Sequence, residues 1–121
     1  MDDIAAKIVT IPRRMYSEDK SPFALLKGTG YFEVHGQVSV SDIREAVAHD
    51  PECVGEWFQY VEDKRSSSGW YVGPNEEGLF EVGFYDSAAE PNRSSRMQYE
   101  TAIDACAAFI KQEIEDMRSG K

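Results

Sequence analysis

The feature that most constrains the fold is a change of period after Gly69. Before it, apolar residues recur mainly at three- and four-residue steps. After it, Trp70-Tyr71-Val72 and the run from Leu79 to Tyr85 alternate, as side chains do across the two faces of a strand. Between these runs, Pro74-Asn75-Glu76-Glu77-Gly78 has the proline, asparagine and glycine of a tight loop, which predicts an antiparallel hairpin. Asp86 to Asn92 is a polar loop containing Pro91, and Ser94 to Tyr99 is expected to return as a third strand. Alternation then puts Trp70, Val72, Phe80, Val82, Phe84, Met97 and Tyr99 on one face. The other face shows Tyr71, Glu81, Tyr85, Arg96 and Gln98.

Apart from residues 1–20 and 31–40, the rest reads as helix joined by breakers. Residues 1–20 combine an apolar-periodic stretch (Ile4, Ala5, Ile8, Val9) with Pro12 and the charged run from Arg13 to Lys20, predicting a brief helix or strand followed by loop. Ser21-Pro22 is a helix start, with Phe23, Leu25 and Leu26 pointing inward before Gly28 and Gly30 end it. Tyr31 to Val40 is ambiguous: Phe32, Val34, Val38 and Val40 alternate like strand residues, but Gly36 interrupts them, which suggests a bulge or turn. Ser41 is expected to cap a helix with Asp42 in its first turn, Ile43, Ala46 and Val47 on its apolar stripe, and its end before Pro51. Asp50-Pro51 opens the next, where Cys53, Val54, Trp57, Phe58 and Val61 share a face. The last helix starts near Thr101, which with Asp104 approximates a capping box. Ile103, Cys106, Ala107, Ile110, Ile114 and Met117 form its stripe, leaving Asp104, Lys111, Glu115 and Arg118 on wetter faces. Ser66-Ser67-Ser68-Gly69 reads as a connection.

A chain of 121 residues suits one domain, 1–121, with residues 1–20 partly irregular. Burying every stripe calls for an α+β fold: an antiparallel sheet of three to four strands with helices packed on one side. The composition, 41% hydrophobic and 12% aromatic, can fill such a core.

The net charge of −9 is unevenly placed. Residues 45–92 hold 11 acids and only 2 bases, Lys64 and Arg65, while elsewhere 11 acids meet 11 bases. This disfavours nucleic acid as a partner, since phosphate recognition needs a concentrated Lys/Arg surface. No apolar run approaches the roughly 20 residues that cross a bilayer, and the acidic Met1-Asp2-Asp3 opening is unlike a secretory signal. A cytoplasmic protein with no membrane partner is therefore expected. The acidic stretch is read either as solvated surface or as a negative field for a basic partner.

No chemistry-bearing motif stands out. His35 and His49 lie outside metal-ligand spacings, and a site built from His35, His49, Cys53 and a carboxylate would be interrupted by Asp50-Pro51. Cys53 and Cys106 read as two buried reduced thiols, a single bridge or a reactive thiol being the alternatives. The apolar neighbours of Cys106, Ala105, Ala107, Ala108 and Phe109, would raise its pKa. A non-enzyme with no cofactor, metal or catalytic set is the expectation.

The stretches Ser68-Gly69-Trp70-Tyr71-Val72, Gly78-Leu79-Phe80-Glu81-Val82-Gly83-Phe84-Tyr85-Asp86, and Tyr99-Glu100-Thr101-Ala102-Ile103-Asp104-Ala105-Cys106-Ala107-Ala108-Phe109-Ile110 resemble the three-strand-plus-helix ending of small bacterial immunity proteins. Those are encoded beside polymorphic or contact-dependent growth-inhibition toxins. The resemblance implies a cytoplasmic inhibitor that binds one cognate toxin domain, often a nuclease with a basic surface. That family has no universal binding residues to carry over, so the candidates come from charge and exposure. They are Tyr71, Glu76, Glu77, Glu81, Tyr85, Asp86 and Glu90 on the hairpin and the loop after it, then Glu52, Glu56, Glu62 and Asp63 on the preceding helix. The alternatives are a regulatory or structural subunit self-associating through Tyr71 and Tyr85, and a small enzyme using His49 or Cys106.

Overall fold

The computed structural model describes residues 2–64 and 68–120. Along them run α1 (Asp2–Val9), α2 (Ile11–Glu18), α3 (Pro22–Gly28), the single turn α4 (Tyr31–Val34) with a 3-10 turn at His35–Gln37, α5 (Val40–His49) and α6 (Glu52–Lys64). Strands β1 (Ser68–Pro74), β2 (Phe80–Asp86) and β3 (Arg93–Tyr99) follow, then α7 (Ala102–Ser119). The sheet is antiparallel in the order β1-β2-β3, so the class is α+β, with three strands among the described residues. Arg65 and the Ser66-Ser67 part of the expected connection lie outside the described residues.

Three stretches depart from expectation. Pro12 does not end the N-terminal helix region but sits in the first turn of α2, where its missing N–H forfeits no helical bond. The charged run therefore continues as helix to Glu18, and Asp19, at φ 52°, ends it. Tyr31 to Val40 is no strand: it is a helical turn and a 3-10 turn, and Val40 is 43% exposed. Its carbonyls find a donor other than a neighbouring strand, because the Lys111 ammonium donates to the Val38 carbonyl at 2.7 Å and to the His35 carbonyl at 3.4 Å. The cap of α5 is Ser39 and not Ser41. Its hydroxyl accepts from the Asp42 N–H at 3.1 Å while the Asp42 carboxylate accepts from the Ser39 N–H at 3.0 Å, closing a capping box.

The core gathers around Trp57, which is fully buried. Its indole N–H donates to the Val9 carbonyl at 2.8 Å, and its ring meets Tyr60 and Phe109 edge-on at 5.2 and 6.0 Å between centroids. This ties α6 to the end of α1 on one side and to α7 on the other. Helix α7 touches all three strands, and its buried stripe is wider than the spacing suggests, taking in Ala105, Phe109 and Glu113. The Glu113 carboxylate accepts from the Tyr60 hydroxyl at 2.6 Å. Lys111 and Glu115, expected on wetter faces, instead meet Tyr31, whose hydroxyl donates to Glu115. Val72 and Val82 are buried as alternation requires. Met97 is not: it is 59% exposed, beside the register shift between Val82 and Phe84. Cys53 and Cys106 are buried and unpaired, and burial pushes both thiols up, Cys53 to about 12. That withholds the thiolate a nucleophile requires.

Candidate interaction surface

The anchoring of Trp57 at Val9 brings the start of α2 against α6. One turn into α2, Arg13 then reaches across. Its Nη1 and Nη2 donate to the Asp50 carboxylate at 2.9 and 3.2 Å, and its Nε and Nη2 donate to Glu56 at 3.0 and 2.8 Å. The guanidinium uses its planar fork twice, on two carboxylates. In return it holds the Asp50 carboxyl below the usual carboxylate range, and the hydrogen bonds to Glu56 and Asp50 raise its own pKa. Farther along, the Tyr16 hydroxyl donates to Asp63 at 2.9 Å, with Gln59 donating to the same carboxylate at 3.0 Å. Tyr16 is 74% exposed: its ring stands out in water, held by its hydroxyl.

Between these two rungs lies a groove of about 560 Å³. Helix α2 lines it with Pro12, Met15 and Tyr16, and Pro22 comes from the start of α3. From α6 come Gly55, Gln59 and Tyr60, with Glu52, Glu56 and Asp63. Positions 52, 55, 56, 59, 60 and 63 recur at three- and four-residue steps, so they form one stripe of α6 beside the stripe that carries Trp57. That spacing is visible in the sequence. No sequence signal marks Arg13, Met15 or Tyr16 until Pro12 is recognised as part of a helix.

The hairpin residues sit elsewhere. Glu76, Glu77 and Glu81 border a second, broader depression with Arg93 and Arg96 of β3, so this surface is of mixed charge. The Tyr71 hydroxyl donates to Glu81, and the Arg93 guanidinium lies 5.2 Å from the centre of the Tyr71 ring. Burial and that carboxylate push the Tyr71 hydroxyl up to about 12. The ring lies over Gly83, where a Cβ would stand only 2.6 Å from the Tyr71 hydroxyl oxygen. Tyr71 and Tyr85, expected to be exposed, are half-buried. Tyr85 is paired across the ladder with Gly69 and Arg93. Asp86 is spent on the turn after β2, accepting from the Ala88 N–H at 3.0 Å. Glu62 and Glu90 are exposed and border neither concavity.

The structure thus brings Glu52, Glu56 and Asp63 together, and Tyr71, Glu76, Glu77 and Glu81 together. Neither of these two concavities holds members of both groups. Comparison with family models, curated proteins and solved structures finds no match to this chain.

Proposed function

We propose that this chain is a non-enzymatic acidic binding module that neutralises a cognate bacterial toxin by docking on its basic surface, as do the immunity proteins that the sequence from Ser68 onward resembles. The observation that carries the reading is the placement of charge. Residues 45–92 hold 11 acids against 2 bases. Of those acids Glu52, Glu62, Glu76, Glu77 and Glu90 are exposed, with no side-chain hydrogen bond or ion pair among the described residues. Carboxylates left in water this way are not already engaged within the chain, and a local excess of one sign speeds encounter with a cationic partner. In this reading the helices keep to one side of the sheet, so the face bearing Tyr71, Glu81 and Tyr85 is left for the partner. Self-association through Tyr71 and Tyr85 has less to draw on, because Tyr71 is engaged by Glu81 and Arg93 of its own sheet.

The test is co-expression with the C-terminal domain encoded by the reading frame upstream of this chain's gene. The expected result is growth where that domain alone arrests it. The purified pair should associate at a rate that falls steeply with salt, and more slowly when Glu76→Lys, Glu77→Lys and Glu90→Lys are combined. Arrest undiminished by co-expression, or an association rate indifferent to salt, overturns the reading.

A further inference from the structure

The geometry points to the α2–α6 groove as the seat of one large apolar side chain of the basic partner, delivered by a short segment in which Lys or Arg flank that side chain. This rests on the binding-module reading and adds to it a site and a chemistry.

Gly55 lies inside a 13-residue helix, where glycine is less favourable than alanine by roughly 1 kcal/mol. Among the described residues nothing in the packing requires it, since a Cβ built there meets none of their atoms within 4 Å. What glycine does at that position is leave the groove open along α6. Tyr16 is likewise unexplained by the fold: it is a large aromatic held in water by Asp63, with no part in the core. With Met15, Pro12, Pro22 and the Tyr60 ring it offers apolar walls, and about 560 Å³ is a volume typical of sites that enclose a ligand group.

Charge decides the flanks. Glu52, Glu56 and Asp63 border the groove against Arg13, the one cation among its described lining residues, which already serves Asp50 and Glu56. Glu52 to Asp63 spans about 16 Å of helix at the α-helical rise. Carboxylates spread over that length match cations spaced along a peptide better than the one charge of a small amine.

The probe is a capped pentapeptide with phenylalanine between two pairs of lysines, titrated at low ionic strength into the isotopically labelled protein and followed by amide shifts. Two controls replace phenylalanine by glycine, or all four lysines by glutamates. The expected result is shifts on α2 and α6 along the groove and affinity about tenfold above both controls. Gly55→Leu, which fills the groove from an exposed helix position, should lower that affinity about tenfold. Glu52→Lys, which leaves the groove's shape alone, should lower it as well. Equal binding of the glycine control, shifts confined to the hairpin, equal competition by hexylamine, or unchanged affinity in folded Gly55→Leu and Glu52→Lys each overturns the inference. The two failures are separable. If both lysine peptides bind at the hairpin carboxylates in a salt-sensitive way, or neither binds anywhere, the groove inference falls while the module reading stands or falls on the co-expression test.

Discussion

Trp57 fills the junction of α1, α6 and α7 while its indole N–H serves the Val9 carbonyl. Trp57→Ala is expected to destabilise the fold by roughly 3–5 kcal/mol in urea unfolding, as large-to-small core changes do. Trp57→Phe keeps an aromatic ring but strips the Val9 carbonyl of its donor, at about 1–3 kcal/mol. Trp57 was legible from helical spacing alone. Glu115 was not, because its partner Tyr31 lies 84 residues away. The Arg118 side chain, with help from the Tyr31 hydroxyl, holds its carboxyl down to about 2 from an ordinary 4.5. A carboxyl whose pKa is lower folded than unfolded stabilises the fold above the unfolded value and loses that contribution as pH falls through the folded one. Unfolding midpoints measured from pH 5 down to about 2 should therefore decline less steeply in Glu115→Gln than in the parent.

At the scale of elements, α2 and α6 make the clearest case. The stripe 52, 55, 56, 59, 60, 63 could be read from spacing, whereas α2 was masked by Pro12 and a run of charges that resembles a solvated loop. Charge runs mislead in this way when, as with Arg13, the charges are spent on contacts between helices. Arg13→Lys keeps the charge but gives up the two-sided fork. It should lower the unfolding free energy by on the order of 1 kcal/mol, since these groups are a third or more exposed. Gly55→Ala should act oppositely, raising stability by about 0.5–1 kcal/mol, because alanine fits the helix and meets no neighbour. The Tyr31–Val40 stretch eluded the two-residue period for a related reason. Alternation of Phe32, Val34, Val38 and Val40 signals a strand only if a strand is there to pair with it, and here Lys111 of a distant helix takes the carbonyl instead.

For the whole molecule, the sheet and the last helix were legible because each rests on local signals: the Gly-containing loop, the alternating aromatics and the Thr101 cap. How the acids are grouped was not, since it depends on how α6 and the hairpin are disposed in space. Two separate concavities allow separate tests with the proposed basic partner. Reversing Glu76 and Glu77 at the hairpin tip should mainly slow association and flatten its salt dependence, while filling the groove at Gly55 should mainly quicken dissociation, both readable by surface plasmon resonance. A further consequence concerns β3, which runs along the rim of a three-stranded ribbon with one side of its backbone free of any sister strand among the described residues. Such a rim invites copies to zip together. Here Arg93 and Arg96, the distorted register beside Met97 and Ser95 at φ 53° make it a poor template. The ribbon is therefore poorly built to recruit its own kind into fibres, however concentrated the chain becomes.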